Sequence, residues 1–157
     1  MAGWLLVLGP PGHVRIGPFA GATDSRAEGP WTGTLAERGG HLGALFRLRL
    51  GSEEREHFEV AFLDTRHQLI AVERLFSGTI NGTEVHPHIV VQKALALNAS
   101  AVLLAHNHPS GNTEPSAADR ALTVRLKAAS ELVDIRLLDH FVVSGAELVS
   151  MASRGWV

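Results

Sequence analysis

From about residue 41 onward, hydrophobic positions recur at spacings that switch between those of helices and those of strands. Apolar residues three or four apart predict helices, whereas alternating or short continuous apolar runs predict strands. Because predicted helices alternate with predicted strands, the pattern favours an α/β domain with a mixed sheet. The predicted helices are 41–50, 87–98 and 116–132, and the predicted strands are 58–62, 68–76, 101–105, 135–143 and 147–149.

Residues 1–38 lack this regularity. Ten of the 16 glycines and four of the seven prolines lie in the first 43 residues. A segment so rich in glycine and proline does not sustain a helix or a central strand. We therefore expect an irregular N-terminal arm over 1–38, in which 4–8 is the one candidate strand, followed by a single domain over 39–157.

Composition narrows the class of protein. The chain has 157 residues, 45% of them hydrophobic, and 14 Lys+Arg against 16 Asp+Glu give a net charge of −2, which argues against a dominant electrostatic surface for nucleic acid. The absence of cysteine excludes a disulfide scaffold, a cysteine nucleophile and thiolate zinc sites. No apolar run approaches the roughly 20 residues of a membrane-spanning helix, and no basic stretch precedes the first such run. We expect no membrane partner and a cytoplasmic location.

Two histidines, His106 and His108, follow the apolar run 101–105. In extended backbone, residues two apart point to the same face about 6.6 Å apart along the strand, so both imidazoles can bind one metal ion. Ligands of open α/β sheets also bind beyond the carboxyl ends of strands. The alternative is a pair of solvated loop histidines.

A carboxylate follows at a suitable spacing. Seven residues rich in proline and glycine separate His108 from Ser116, and Asp119 lies three residues further on, at the start of a predicted helix. Two histidines and Asp119 would leave a fourth tetrahedral position for water, as in catalytic zinc sites. The pattern Ser116-x-x-Asp119 is also a capping box, which explains both residues without a metal.

Glu73 is the candidate general acid/base of such a site. It interrupts an apolar strand, where a carboxylate is costly to bury unless a charge or hydrogen bonds compensate it. A metal-bound water would provide that compensation. The alternative is an edge strand in which Glu73 is solvated or paired with a surface arginine.

Together, these residues resemble the JAMM/MPN-type metalloprotease signature and, more closely, the bacterial RadC family. The resemblance implies a cytidine-deaminase-like, three-layer α/β/α sandwich and a hydrolase of amide or isopeptide bonds in a peptide or protein. It also implies Zn²⁺ held by His106, His108 and Asp119, general acid/base catalysis by Glu73, and a hydrogen bond from Ser116 to the developing oxyanion. It covers roughly residues 41–156 and rests on Leu63-Asp64, Glu73-x-Leu75-Phe76-x-Gly78-Thr79, Ala94-Leu95 through Asn98, the run 104–111 and Leu138-Asp139-His140.

The chain departs from the family in two places. Longer members carry an N-terminal helix-hairpin-helix module where this chain has its arm, which removes that route to DNA. The family pattern Pro-Arg-Glu is replaced by Pro87-His88-Ile89. The family's DNA-repair label keeps a nucleic-acid function open as an alternative, although the charge does not support it, and a non-catalytic MPN-type interaction module is the other alternative.

Other polar residues have ordinary explanations. His86 and His88 lie at a helix start, where residues two apart do not face one another, so a metal site there is not expected. His140 is expected to pack or to orient a metal ligand rather than to bind the metal. The arginines 47, 49, 55, 66 and 74, interspersed with Glu53, Glu54, Glu56 and Glu59, indicate a solvated charged surface.

Overall fold

The computed structural model describes residues 4–8, 14–18, 35–78 and 84–157. Within these residues, one seven-stranded mixed sheet is packed against three α-helices. The helices are α1 (Leu35–Leu50), α2 (Pro87–Ala96) and α3 (Ala117–Glu131). The strands are β1 (Trp4–Leu8), β2 (Val14–Pro18), β3 (His57–Leu63), β4 (Leu69–Ser77), β5 (Ala101–Asn107), β6 (Arg136–Val143) and β7 (Leu148–Ser150), and a short 3₁₀ helix follows at Ala152–Arg154.

The order of strands across the sheet is β1-β2-β4-β3-β5-β6-β7. Among the described strands, β5 and β6 form the one parallel pair, and α3 connects them. A parallel connection needs such a crossover helix, because the chain must return to the same end of the sheet before the next strand begins. The carboxyl end of β5 therefore lies beside the start of α3.

The two faces of the sheet are covered by different helices, which gives three layers. Helices α2 and α3 cover one face, where Phe58, Phe62 and Leu104 are fully buried in one apolar cluster. Helix α1 covers the other face, where a second cluster includes Phe46, Leu63 and Ala105. Burying a large apolar side chain contributes about 1.5–3 kcal/mol. The predicted α/β/α class with a mixed sheet is confirmed.

Most predicted elements from residue 57 onward agree with the structure to within two residues at each end. Helix α1, which precedes this region, differs more, since it begins at Leu35 rather than at residue 41. The pair Gly39-Gly40, which is unfavourable in a helix interior, hid its first turns from the sequence pattern.

The predicted N-terminal arm contains more regular structure than expected. The strand expected at 4–8 is β1, and it forms an antiparallel pair with β2, which the sequence pattern did not indicate. β2 in turn pairs with β4 at Val14 and Val72. Residues 1–3, 9–13 and 19–34 of the predicted arm lie outside the described residues, and the domain boundary near residue 38 stays a prediction.

The prediction of an ordinary solvated charged surface is wrong for Glu59. Glu59 is fully buried, and its carboxylate binds Arg49 Nε at 2.6 Å and Arg74 Nε at 3.1 Å. Arg74 Nη2 also binds Glu53 Oε1 at 2.8 Å. Strand β3 lies inside the sheet and both of its faces are covered. A charged residue at any position of this strand, such as Glu59, is therefore buried and needs a partner of opposite charge.

Within the portion of the chain described, no helix is long and apolar enough to cross a membrane.

Candidate metal centre

Three side chains from β5, the loop after it and α3 point at one another. His106 Nε2 lies 3.0 Å from His108 Nε2 and 3.2 Å from Asp119 Oδ1, and His108 Nε2 lies 3.5 Å from Asp119 Oδ2. In the chain segments described, these three residues form the one group of three or more potential ligands whose atoms converge, all within 4.8 Å. The structure therefore brings together the three residues expected to bind a metal.

The loop between His108 and Asp119 is held by specific contacts. The backbone N–H of His108 donates to Val143 O at 2.9 Å, which continues the β5–β6 pairing past the end of the strand. Gly111 adopts φ of +84°, a conformation that favours glycine, and its N–H donates back to His108 O. Thr113 Oγ1 donates to Glu147 Oε2 at 2.9 Å. These contacts turn the chain back toward β5, so that Asp119 reaches the histidines.

Asp119 both caps α3 and contacts the histidines. Its Oδ2 accepts hydrogen bonds from Ser116 N at 2.6 Å and from Ser116 Oγ at 2.7 Å, and Asp119 N donates to Ser116 Oγ at 3.1 Å. Its other oxygen, Oδ1, points at His106. The sequence left capping and metal binding as competing explanations of Asp119. The geometry accommodates both, because a carboxylate has two oxygens with several lone pairs.

Charges within the group shift its pKa values. Burial acts to raise the pKa of Asp119, but hydrogen bonds with His106 and His108 outweigh it and hold that pKa well below the usual range. The contact with Asp119 raises the pKa of His108 above its ordinary value, against the effect of burial, and the contact with the Asn112 carbonyl adds to the rise. The group thus attracts positive charge.

The donor atoms fit a divalent ion in both type and spacing. Two neutral imidazole nitrogens and one carboxylate oxygen are ligands that zinc accepts at about 2.0–2.1 Å, and at that bond length tetrahedral ligands lie about 3.3 Å apart. His106 Nε2 lies 3.0 Å from His108 Nε2 and 3.2 Å from Asp119 Oδ1, close to that value, and His108 Nε2 lies 3.5 Å from the other carboxylate oxygen, Oδ2. His106, His108 and Asp119 can therefore hold a metal ion with little movement.

The outer nitrogens of both histidines have buried or backbone partners. His108 Nδ1 contacts Asn112 O at 2.6 Å, and His106 Nδ1 contacts His140 Nε2 at 2.8 Å. His140 is fully buried, and burial, followed by the neighbouring His106, holds its pKa well below the ordinary value. The sequence led us to expect that His140 packs or orients a metal ligand, and in the structure it is both buried and in contact with His106.

Glu73 lies on the same face of the sheet as His106 but outside the converging group. Glu73 on β4 is paired with Val60 on β3, and Val60 is paired with Leu104 on β5. His106 follows Leu104 by two residues and therefore points to the same face. Its side chain is about nine-tenths buried, and Oε2 accepts from Lys93 Nζ of α2 at 2.9 Å. Glu73 is thus a buried carboxylate paired with a helix lysine, rather than a solvated one.

Asn107, between the two histidines, was missed as a positioning residue. Its side-chain oxygen accepts from His57 N at 2.7 Å, and its Nδ2 donates to Arg55 O at 2.8 Å and more weakly to Glu53 O at 3.4 Å. These bonds tie segment 53–57 to the end of β5, beside a cavity of about 250 Å³ that His108 lines. The sequence offered only an amide at the alternate position between the two histidines, and its burial is visible in the structure alone.

The second His-x-His pair does not form a comparable group. The rings of His86 and His88 lie 5.8 Å apart, and His86 packs against Phe76. Glu84 Oε1 lies 4.0 Å from His86 Nε2. Among the described residues, neither histidine belongs to a group of three converging ligands.

An α/β/α sandwich with His-x-His at the end of its central strand and an aspartate in the next helix defines a JAB/MPN-type domain. The chain matches the family model described as RadC-like JAB domain over residues 38–156, and it belongs to that family. It is 56% identical over 115 residues to a UPF0758 protein of Xylella fastidiosa and 57% identical over 116 residues to one of Xanthomonas oryzae pv. oryzae. These matches cover 73% and 74% of this chain but only 51% and 52% of the relatives, so the chain spans about half of their length.

Proposed function

We propose that this chain is a zinc-dependent hydrolase that cleaves amide or isopeptide bonds in a peptide or protein substrate. The observation that carries the proposal is the convergence of one ligand atom each from His106, His108 and Asp119. Membership of a JAB-type family supports a metal-dependent hydrolase in general. The chain has no cysteine, which fits a reducing cytoplasm. The proposed metal site also uses no thiolate ligand.

His106, His108 and Asp119 would hold the ion, and the rest of the chain would supply the proton transfers. Bound zinc would lower the pKa of a water ligand and polarise the scissile carbonyl. Glu73 would accept the proton of the attacking water and pass it to the departing amine, as a general base and then a general acid. Lys93, 2.9 Å from Glu73 Oε2, would anchor that carboxylate against α2.

Ser116 would donate a hydrogen bond to the oxyanion that forms on the substrate carbonyl. Its hydroxyl contacts Asp119 Oδ2 at 2.7 Å, which places it beside the ligand group. A hydroxyl rotates freely about its bond, so it can exchange this partner for a substrate oxygen. Removing one such donor costs roughly 10²–10³ in kcat in other enzymes.

The test combines metal analysis with hydrolysis of a quenched peptide library and of isopeptide-linked model substrates. We expect about one zinc ion per chain in the wild type and none in His106→Ala or Asp119→Ala. Glu73→Gln should keep the ion and lose hydrolysis, because an amide cannot accept the proton of water. The matched control is Glu84→Gln, which removes an exposed carboxylate elsewhere.

Two results would overturn the proposal. Wild-type protein without zinc, or zinc retained by both ligand variants, would remove the metal centre. Full hydrolysis by Glu73→Gln would remove Glu73 from the proton transfer. Metal binding without hydrolysis of any substrate would favour a non-catalytic module, and salt-sensitive binding to DNA would favour the nucleic-acid alternative.

A further inference from the structure

The fully buried His140 and Thr123 connect two of the candidate metal ligands through the core. We propose that they are positioning residues that fix the ring proton of His106 on Nδ1, so that its Nε2 is bare and faces the ion. This inference rests on the proposed metal centre, and it adds residues that act on a ligand without touching the metal. It accounts for two buried polar side chains that the proposed chemistry does not otherwise use.

A continuous series of short hydrogen bonds joins the four residues. His106 Nδ1 lies 2.8 Å from His140 Nε2, and His140 Nδ1 lies 2.7 Å from Thr123 Oγ1. Thr123 Oγ1 donates to Asp119 O, one helical turn earlier on α3, at 2.6 Å. With the 3.2 Å contact between Asp119 Oδ1 and His106 Nε2, the series closes into a ring.

The donor and acceptor in each hydrogen bond of the series follow from the Asp119 carbonyl at its end. The carbonyl of Asp119 can only accept, so the Thr123 hydroxyl uses its one proton there and must accept from His140 Nδ1–H. A neutral His140 with its proton on Nδ1 has a bare Nε2, which accepts from His106 Nδ1–H. A neutral His106 with its proton on Nδ1 then presents a bare Nε2 to the ion. No other proton arrangement satisfies all three bonds with neutral rings.

The second histidine is set in the same way by a backbone group. His108 Nδ1 lies 2.6 Å from Asn112 O, which can only accept, so the proton of a neutral His108 is on Nδ1 as well. Both rings therefore offer Nε2, the atoms that lie 3.0 Å apart in the ligand group. Outer partners of this kind typically change metal affinity by about 10–100-fold.

The experiment compares hydroxyl-bearing and hydroxyl-free residues at position 123. Thr123→Ser keeps the hydroxyl, whereas Thr123→Ala has nearly the same size as serine and lacks it; Thr123→Val keeps the shape of threonine. Ser130→Ala is the matched control, because Ser130 is a buried hydroxyl two turns further along α3 that takes no part in the series. Zinc affinity is measured by competition with a chelator, and ring protons by long-range ¹H–¹⁵N correlation of the metal-free protein.

We expect zinc affinity to fall about 10–100-fold in Thr123→Ala and Thr123→Val, and to stay within about threefold of wild type in Thr123→Ser and Ser130→Ala. The His106 signals should move from the Nδ1–H pattern toward the Nε2–H pattern in the hydroxyl-free variants alone. Unchanged tautomers and unchanged affinity in Thr123→Ala would overturn the inference, as would equal losses in Thr123→Ser. The tautomer of His106 is measured without metal or substrate, so this test is independent of the hydrolysis assay. The inference can fail even if the protein is a hydrolase, and it can hold even if no hydrolysis is detected.

Discussion

Asp119 shows at the scale of one residue how capping and metal binding can be separated. Asp119→Asn keeps an oxygen that can cap α3 but loses the charge that a cation needs, so we expect at least a 100-fold loss of zinc affinity with only a small change in stability. Ser116→Ala removes the reciprocal cap and should cost about 1 kcal/mol of unfolding free energy while zinc affinity is kept. Chelator competition and urea unfolding of the two variants measure both effects. Equal zinc affinity in both would show that Asp119 only caps the helix.

The pKa shifts at this site predict how the metal-free protein responds to pH. The folded pKa of His108 is raised, so its contact with Asp119 stabilises the protein fully below about pH 6.5 and ceases to do so as pH rises through the folded pKa. The folded pKa of Asp119 is lowered, so its contribution is present above about pH 4 and is lost only as pH falls through that low value. The pair should therefore stabilise the metal-free protein most between these limits.

Thermal unfolding at about pH 5.5 and about pH 8 tests this expectation. The Tm difference between wild type and Asp119→Asn should be larger at the lower pH in the metal-free proteins. Zinc affinity should change in the opposite sense and rise with pH, because the ion must displace a proton from His108. A Tm difference that grows toward alkaline pH would contradict the assigned pKa of His108.

At the scale of elements, the end of β5 depends on a side chain that faces away from the metal. Asn107 accepts from His57 N and donates to the carbonyls of Arg55 and Glu53. Asn107→Ala would leave these backbone groups without their partner, so we expect a loss of about 1–3 kcal/mol in unfolding free energy. Asn107→Asp keeps the acceptor but sets a buried carboxylate oxygen against the two carbonyl oxygens, so it should cost at least as much as alanine. Urea unfolding measures the series, and an alanine variant as stable as wild type would show that segment 53–57 holds itself in place.

Strand β5 also shows how much of a strand the pattern of apolar residues can predict. The continuous apolar run 101–105 identified β5 because both faces of that strand are covered, and the structure extends the strand through Asn107. The pattern could not reveal the extension, since His106 and Asn107 are polar yet buried through partners on other elements. Polar residues that are buried by tertiary partners look like loop residues in a sequence.

At the scale of the whole molecule, a charged network with the buried Glu59 at its centre connects α1 to the sheet. Glu59 joins Arg49 of α1 to Arg74 of β4, so it links a helix to two strands. Glu59→Gln would remove the counter-charge of Arg49 and leave Arg74 with that of Glu53 alone, and we expect a loss of about 3 kcal/mol in unfolding free energy. Glu54→Gln, at an exposed position, should change stability by less than about 0.5 kcal/mol. Denaturant titration distinguishes the two, and similar small losses would show that the network is dispensable.

The sequence by itself determined the order and type of the elements from residue 57 onward and the residues that form the candidate ligand group. Such features depend on spacing along the chain, since the period of apolar residues and the distance from His108 to Asp119 are both local. Only the tertiary structure decided that β1 and β2 extend the sheet, that Glu59 is buried, and that Lys93 is the partner of Glu73. Likewise, His140 reaches His106 because the register of β5 and β6 places it opposite Leu104. Strand pairing and helix packing bring such distant residues together, and no pattern within one segment carries that information.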